Sequence, residues 1–322
     1  MTDFPVLTLS ECVDTLLKLK RPLVVMHVRP DGDTVGSGTA LCETFRALGV
    51  EAKYICADKI PARLSFLTEG IECATSTEGY ELVSIDVASP AQMGSLFKEN
   101  TVSLTIDHHE VNTPYAPNYT VGGLSSAGEV LYRVAAELEK RGLITINTAI
   151  AERLYAAISS DTGGFIFSTA TPDTYGIAAR LICCGINHSA INHKLFMSKP
   201  MEQIRAEGLV ASGLRSAANG RISYAVVTRR ERENLGIPLE HFECGIDVVR
   251  SVAGTEIAFI IKESDNGEIK ASLRSTGQNI AQIAARHGGG GHLRAAGCSI
   301  DAATPLEAAE KLAEELTEAF FS

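Results

Sequence analysis

The feature that most constrains the fold is a short apolar run that ends abruptly in three polar residues. Residues 102–106 are mostly apolar, and Asp107, His108 and His109 follow them directly. Such a run is typical of a buried strand, and we interpret the three polar residues as lying at its carboxyl end. In an open α/β sheet, ligands bind in the crevice outside the carboxyl ends of the strands. The pattern therefore favours an α/β fold with a ligand site at this edge.

Apolar runs and helical segments alternate over the first half of the chain. The predicted strands are residues 22–28, 50–55, 81–86 and 102–106, and the predicted helices are residues 9–20, 35–48, 126–141 and 148–159. Strands that alternate with helices usually pair in parallel. We therefore predict an α/β fold with a doubly wound, mainly parallel sheet.

A different pattern begins near residue 220. Strands are predicted at 221–228, 256–263 and 268–275, and the stretch 264–267, Ser-Asp-Asn-Gly, is a strong hairpin turn signal. A helix is predicted at 304–320, so we expect a smaller C-terminal α/β domain with a mixed sheet. A length of 322 residues suits two domains. We place them at 1–197 and 220–322, with a helical linker at 198–219.

Charge and composition exclude some classes of function. The net charge is −10, which argues against a protein that coats long nucleic acid, because such binding depends on Lys and Arg neutralising phosphates. A small phosphorylated substrate in a local site is compatible with this charge. No apolar run is long enough to span a bilayer, and the first residues do not resemble a signal peptide. The eight cysteines lack C-x-x-C spacing, so we predict reduced thiols, mostly core residues, in a cytoplasmic protein with no membrane partner.

Residues that can bind metals follow several predicted strands and helices. Taken singly, each has a local explanation: Asp33 would cap the next helix, Asp31 and Gly32 would form a turn, and Asp86 would end a strand. Taken together, they fall at one edge of one predicted sheet. The full set is His27, Asp31, Asp33, Asp86, Asp107, His108, His109 and Asp161.

The ligand types in this set point to a particular chemistry. Carboxylates and imidazoles without thiolates suit Mn²⁺, Mg²⁺ or Fe²⁺ better than structural zinc. Clustered carboxylates repel one another, and two divalent ions with one bridging carboxylate would balance their charge. Two ions about 3.5–4 Å apart are a standard arrangement for phosphate-ester hydrolysis. The pattern therefore favours a two-metal phosphoesterase.

The same residues resemble the signature of a known family, the DHH phosphoesterase superfamily. Residues 272–275, Ser-Leu-Arg-Ser, and the glycine-rich stretch 288–297 are similar to motifs of its DHHA1 domain. The combined pattern covers nearly the whole chain and resembles the NrnA-type branch. Members of that branch hydrolyse short oligoribonucleotides (nanoRNA) to mononucleotides and often also convert 3′-phosphoadenosine 5′-phosphate (pAp) to AMP. The resemblance makes 1–197 the DHH catalytic domain and 220–322 the DHHA1 substrate-binding domain.

Carried over by position, the resemblance implies two Mn²⁺ ions, with Mg²⁺ or another divalent metal as alternatives. The implied ligands of one ion are His27, Asp31 and Asp86, and those of the other are Asp33, Asp86, His108 and Asp161. Asp86 would bridge the ions. Asp107 would orient an imidazole or a metal-bound water. His109 would meet the substrate phosphate or leaving group as a hydrogen-bond donor or general acid.

The C-terminal motifs allow two interpretations. Arg274 would grip a phosphate or form a surface ion pair, and the glycine run would bring backbone N–H groups to an anion or form a flexible loop. The resemblance favours substrate contacts, and the implied residues are Arg274, Gly289, Gly290, Gly291 and His292. We interpret His287 as a residue at a helix end, and Ser126 and Glu129 as helix-capping residues.

The leading hypothesis is thus a Mn²⁺-dependent phosphodiesterase that acts on short RNA or DNA oligonucleotides through metal-activated water, with pAp phosphatase activity as a second reaction. One alternative is a phosphodiesterase for cyclic dinucleotides or for linear ones such as pApA and pGpG. An inorganic pyrophosphatase would share the metal set but not the glycine-rich motif. A non-catalytic nucleotide sensor would be expected to have lost at least one ligand. A homodimer is one option for the assembly.

Overall fold

The computed structural model describes residues 4–98 and 102–322. The chain divides into two compact units, Met1–Ser198 and Lys199–Ser322. Among the residues described, no helix has the length and apolar character needed to cross a membrane.

The first unit contains a parallel sheet of five strands in the order β2-β1-β3-β4-β5. Its strands are β1 Pro22–Met26, β2 Lys53–Cys56, β3 Glu81–Ile85, β4 Val102–Asp107 and β5 Asn118–Thr120. Its helices are α1 Leu9–Leu16, α2 Gly32–Ala47, α3 Ala127–Lys140, α4 Thr148–Asp161, α5 Pro172–Cys183 and α6 His188–Asn192. The predicted α/β class and parallel sheet are therefore confirmed.

The two faces of this sheet are covered differently. The helices α2, α3 and α4 pack together on one face, where the core includes Val24 and Leu104. On the other face, Leu23 and Val25 pack against connecting segments that include a 3₁₀ helix, Pro90–Leu96. Every residue of β1 is buried, which explains why its sequence is a continuous apolar run.

The second unit is built on a six-stranded mixed sheet in the order β10-β11-β9-β8-β7-β6. Only the β7–β8 pair is parallel within this sheet. Its strands are β6 Arg215–Ala217, β7 Ile222–Val227, β8 Ile257–Glu263, β9 Ile269–Ser275, β10 Gly290–His292 and β11 Ala295–Ser299. Its helices are α7 Met201–Ser212, α8 Arg229–Leu235, α9 Gly245–Arg250, α10 Ala281–Arg286 and α11 Pro305–Phe320.

Helix α7 lies within the segment predicted to be a linker. Its residues Ala206 and Val210 are buried in a core with Phe242 and Ile260 of the second unit. The segment is thus packed structure as well as a connection, and the boundaries at 197 and 219 stay a prediction. The eight cysteines are free thiols. Only Cys12, Cys42 and Cys298 among them are buried, so the prediction that most fill the core is wrong.

Candidate metal centre

The loop between β1 and α2 supplies the first ligand candidates. Asp31 is the N-cap of α2, and its Oδ1 accepts hydrogen bonds from the backbone N–H groups of Asp33 at 3.0 Å and Thr34 at 3.1 Å. Asp31, rather than Asp33, therefore caps this helix. His27 Nδ1 lies 2.8 Å from the carbonyl oxygen of Val28. An N–H at Nδ1 donating to that oxygen leaves Nε2 free to bind a metal.

Asp33 is held by a helix that comes much later in the chain. Its Oδ2 accepts a hydrogen bond from the backbone N–H of Ala127 at 2.7 Å, and its Oδ1 accepts one from Gly128 at 3.0 Å. These amides begin α3, where the helix dipole favours a negative charge. Asp33 is only 1% exposed. Its carboxylate is therefore fixed in place, and no rotation is needed for it to bind an ion.

Asp86 directly follows β3 and lies between two imidazoles. Its Oδ2 is 3.5 Å from His27 Nε2, and its Oδ1 is 3.5 Å from His108 Nε2. Its backbone has φ of +59°, the left-handed region that few residues other than glycine adopt. The N–H of Asp86 donates to the carbonyl oxygen of Ile106 at 3.0 Å, which anchors this turn to β4. Strained backbone of this kind is concentrated at functional sites.

His108 connects the end of β4 to the end of α4. Its Nδ1 lies 3.1 Å from the carbonyl oxygen of Leu124, so an N–H at Nδ1 again leaves Nε2 available. That Nε2 is 3.8 Å from Asp33 Oδ2 and 3.7 Å from Asp161 Oδ2. Asp161 is the last residue of α4. Four separate elements thus converge on the imidazole of His108.

Asp107 and His109 form a pair beside these groups. His109 Nδ1 lies 2.7 Å from Asp107 Oδ1. The Asp107 carboxylate is 1% exposed, and its Oδ2 has no hydrogen-bond partner among the residues described. The imidazole of His109 is 37% exposed and is 3.8 Å from Asp86 Oδ1. Asp107 therefore orients an imidazole that solvent or a ligand can reach.

Three groups of ligand atoms are each compact enough to hold one ion, with all atoms within 4.8 Å of one another. They are His27 with Asp31 and Asp86, Asp33 with His108 and Asp161, and Asp86 with His108 and His109. The first group is the set implied for one ion. The second holds three of the four ligands implied for the other ion, and the fourth, Asp86, is next to His108.

Protonation of this site shows how strongly its charges interact. Burial, together with the charges of Asp86 and Asp161, raises the pKa of Asp33 well above its ordinary value. Burial and the charges of Asp86 and Asp31 raise the pKa of Asp161 to about 7. Burial disfavours the charged form of His27, but hydrogen bonds to Asp31 and Asp86 outweigh it and raise the pKa of His27 to about 10.

These observations test whether divalent ions fit the residues. Within residues 4–98 and 102–322, the only ion-pair partners of the four ligand carboxylates are histidines. Close carboxylates without Lys or Arg retain protons when no cation is present, as the raised pKa of Asp161 indicates. The donors are carboxylate oxygens and imidazole nitrogens, both of which bind divalent metal ions. The residues present therefore fit a divalent metal centre.

The predicted substrate residues of the second unit lie together on its sheet. His292 pairs with Ala295, and Ala295 pairs with Arg274, in one row across β10, β11 and β9. Directly paired residues lie on one face of a sheet, so Arg274 and His292 share that face. Arg274 makes no ion pair among the residues described, and its guanidinium donates only to the carbonyl oxygen of Leu273.

The glycines of this region permit a close approach of two strands. A Cβ on Gly289 would lie 2.2 Å from the carbonyl oxygen of Gly297, and one on Gly291, where φ is +142°, would lie 2.4 Å from that of Ala295. Any side chain there would push β10 away from β11. His287 follows α10, and its Nε2 lies 2.7 Å from Oε2 of Glu315, a residue of α11. His287 is also the C-cap residue of α10, which confirms its interpretation as a helix-end residue.

Sequence reasoning missed the main-chain groups that position the site. They are the carbonyl oxygens of Val28 and Leu124 and the N–H groups of Ala127 and Gly128. Their side chains carry no signal of such a role. The capping prediction was right: Ser126 caps α3, and Glu129 Oε2 accepts from the N–H of Ser125.

Comparison with known proteins agrees with this geometry. Residues 21–158 match the model of the DHH family, N-terminal domain, and residues 242–320 match that of the DHHA1 domain. The bifunctional oligoribonuclease and PAP phosphatase NrnA of Thermus thermophilus is 30% identical over 92% of this chain and 89% of its own. The protein of the same name from Bacillus subtilis is 28% identical over 90% and 93%.

A solved structure has the same fold over almost all of the chain. It is an exopolyphosphatase-related protein from Bacteroides fragilis, with a TM-score of 0.86 and 20% identity, and it covers 97% of this chain and 96% of its own. The chain therefore belongs to the DHH family, with both the DHH and the DHHA1 domain, and to the branch of it that carries the NrnA name.

Proposed function

We propose that this protein is a metal-dependent phosphoesterase that hydrolyses short oligoribonucleotides to mononucleotides and converts pAp to AMP. The observation that carries the proposal is the position of Asp86, which places one carboxylate oxygen beside each of two imidazoles. The names of the Thermus thermophilus and Bacillus subtilis relatives support the choice of substrates.

In this proposal, the site takes two Mn²⁺ ions. His27, Asp31 and Asp86 would hold one ion, and Asp33, Asp86, His108 and Asp161 would hold the other. When bound, such ions polarise the phosphate and make water a nucleophile at neutral pH. The protein supplies fixed ligands, because the Asp33 carboxylate and both imidazoles are already held by main-chain groups.

His109 is the proton donor in the proposal. Its Nδ1 is engaged by Asp107, so its Nε2 is the nitrogen available to a substrate. The hydrogen bond to Asp107 outweighs burial and raises the pKa of His109. A protonated His109 can hold a phosphate oxygen by a hydrogen bond, or it can give its proton to the oxygen that leaves.

The second unit binds the nucleotide in the proposal. Arg274 offers a planar guanidinium that has no ion-pair partner in the described part of the chain, which suits two-pronged binding of phosphate. His292 shares its face of the sheet, and Gly289, Gly290 and Gly291 beside it are exposed. The net charge of −10 favours a short substrate, because long nucleic acid would need many more cationic contacts.

A substrate panel tests the proposal. Purified protein is incubated with Mn²⁺, Mg²⁺ or EDTA and with pAp, a 5′-phosphorylated dinucleotide, a longer RNA, pyrophosphate or a cyclic dinucleotide, and the products are separated by chromatography. We expect hydrolysis of pAp and the dinucleotide, with loss of activity in EDTA. Cleavage of pyrophosphate alone, or of the cyclic dinucleotide alone, would refute the proposal.

An Asp86→Asn variant completes the test. Asparagine tolerates the left-handed backbone about as well as aspartate, so the circular dichroism spectrum should not change. The carboxylate between the two imidazoles is lost, so we expect hydrolysis to be abolished. Activity that persists in this variant would contradict the shared-ligand assignment.

A further inference from the structure

An exposed aromatic pair, Phe167 and Phe196, lies beside the metal centre and has no role in the proposal so far. Phe167 is 45% exposed and Phe196 is 36% exposed. The residues next to them are also apolar and exposed, Ile166 at 83% and Met197 at 73%. Among residues 4–98 and 102–322, neither phenylalanine ring contacts another ring. Exposed apolar groups clustered in this way usually mark a binding surface.

The pair is attached to the end of α4. A Cβ on Gly163, where φ is +58°, would lie 2.6 Å from Cζ of Phe167, so the tip of that ring touches the Gly163 backbone. A Cβ on Gly164, where φ is +71°, would lie 3.4 Å from Cε2 of Phe196. These glycines follow Asp161 by two and three residues. The two rings therefore flank a turn that begins at a ligand of the proposed metal centre.

A second connection runs through α2. A Cβ on Gly32, the neighbour of Asp31, would lie 2.2 Å from Oγ of Ser160 and 3.7 Å from Cδ2 of Leu195. Leu195 and Phe196 belong to the same π-helical turn, His193–Met197. The segment that carries Phe196 thus packs against the residue that follows a second proposed ligand.

The turn that presents Phe167 is held by main-chain hydrogen bonds. The N–H groups of Ile166 and Phe167 both donate to the carbonyl oxygen of Thr162 at 3.0 Å, and the N–H of Gly164 donates to that of Ser159 at 2.7 Å. The ring of Phe165 instead packs near two tyrosines. Its centroid is 5.8 Å from the ring centroid of Tyr155 and 5.4 Å from that of Tyr175. The fold therefore packs one aromatic residue of this segment, half-buried, against the core and leaves the next one, Phe167, exposed.

In the proposed function, the side chains of the metal centre hold the ions and meet the phosphate. They are carboxylates and imidazoles, so recognition of the base falls to other groups. Stacking on an exposed aromatic ring is the usual way in which proteins hold an unpaired base. It also requires no positive charge, which suits an acidic protein.

We propose that Phe167 and Phe196 form a stacking platform for the nucleobase next to the phosphate that is cleaved. This inference rests on the proposed function and deepens it, because it identifies the residues that distinguish a nucleotide from other phosphate esters. The platform tolerates any base, since every base has an aromatic face.

The test compares pAp with its analogue that lacks adenine, 1-deoxyribose 3,5-bisphosphate. For Phe167→Ala, we expect KM for pAp to rise roughly 5- to 100-fold, the effect of losing one stacked base, and KM for the baseless analogue to stay within about twofold. Phe167→Tyr should restore the wild-type KM. Leu143→Ala is the matched control, since Leu143 is 44% exposed but follows the far end of α3, and it should change neither constant.

A second measurement does not depend on catalysis. The chain contains no tryptophan, so Phe167→Trp places a single fluorescent indole on the platform. With Mg²⁺ present, AMP should quench its emission, and ribose 5-phosphate should leave it unchanged.

The outcomes separate the two proposals. Suppose that the wild type hydrolyses pAp, but that Phe167→Ala raises KM for pAp and for the baseless analogue equally, or raises neither. The platform is then wrong and the proposed function stands. Equal quenching by AMP and ribose 5-phosphate, or a change of oligomeric state in Phe167→Ala with normal KM values, would also overturn the platform. If the wild type hydrolyses no nucleotide substrate with any divalent ion, both proposals fail.

Discussion

Asp107 illustrates how one residue can matter to a metal site without binding metal. It belongs to none of the three groups of ligand atoms, yet its buried carboxylate holds Nδ1 of His109 at 2.7 Å. It thereby fixes both the orientation of that imidazole and the nitrogen that carries the proton. Asp107 is therefore a positioning residue, and its effect on catalysis should pass through His109.

Replacing Asp107 by Asn tests this role. We expect kcat to fall by roughly 10²- to 10⁴-fold, the usual contribution of a positioned acid or base, with little change in the Kd for Mn²⁺. Asp107 raises the pKa of His109. If protonated His109 is the acid, activity falls as pH rises through that pKa, so the variant should lose activity at a lower pH than the wild type.

The control for this experiment is Asn112→Ala. Asn112 is exposed, and its side chain donates to the carbonyl oxygen of His109, at 3.3 Å, and to no other group in residues 4–98 and 102–322. It should leave both kcat and the pH profile unchanged. A loss of Mn²⁺ affinity in Asp107→Asn as large as the loss of kcat would show instead that Asp107 is a metal ligand.

At the scale of elements, the packing of α2 on α4 sets the distance between ligands. Asp33 lies in the first turn of α2, and Asp161 ends α4. A Cβ on Gly36 of α2 would lie 2.8 Å from the carbonyl oxygen of Arg153 and 2.9 Å from the N–H nitrogen of Ala157. Both contacts are with backbone, which cannot move aside as a side chain can, so any larger residue would force the helices apart.

Gly36→Ala should therefore destabilise the protein by about 1–3 kcal/mol, as expected for an overpacked core, and should weaken Mn²⁺ binding. Gly176→Ala is the matched control, because Gly176 is also helical and nothing lies within 4 Å of its would-be Cβ. That change should stabilise by up to about 1 kcal/mol through helix propensity. Urea unfolding and metal titration measure both effects, and equal behaviour of the two variants would contradict the packing argument.

The same scale shows which elements sequence patterns can reveal. The strands β1, β3 and β4 are buried on both faces, so their apolar runs stand out, and they were predicted within about two residues. Strand β5 has only three residues and β10 consists of Gly290, Gly291 and His292. Neither is long enough for its sequence to show an alternating apolar pattern. Both are strands because they pair with a neighbouring strand.

The candidate site likewise has some features that sequence patterns reveal and others that they do not. Its ligands could be identified from the sequence because carboxylates and imidazoles are distinctive, and their clustering follows from the shared edge of parallel strands. The left-handed backbone of Asp86 and the α3 amides that hold Asp33 could not be identified. These features depend on contacts between residues that are far apart in the sequence. Asp33 and Ala127, for example, are separated by 94 positions.

At the scale of the whole molecule, all proposed metal ligands belong to the first unit. They lie between His27 and Asp161, whereas the second unit begins at Lys199. Binding that occurs only in the folded state stabilises by about 2.7 kcal/mol when the free ion is at 100 times its Kd. Metal should therefore protect the first unit against unfolding and affect the second unit much less.

Protons compete with the metal for the same side chains. Burial disfavours the charged form of His108, but its hydrogen bond to Asp86 prevails and raises the pKa of His108 to about 9. That of His27 is raised to about 10 and that of Asp161 to about 7. An ion must displace these protons before it binds. The affinity for Mn²⁺ should therefore rise with pH from 6 to 9, and binding should release protons.

Hydrogen exchange with and without Mn²⁺, read by peptide, measures the first expectation, and calorimetry in buffers of different ionisation enthalpy measures the second. We expect slower exchange in β3, β4 and the start of α3, where Asp86, His108 and the partners of Asp33 lie. Asp86→Asn is the control and should lose both the protection and most of the proton release. Equal protection of both units, or metal binding that weakens as pH rises, would contradict a centre built from these carboxylates and imidazoles.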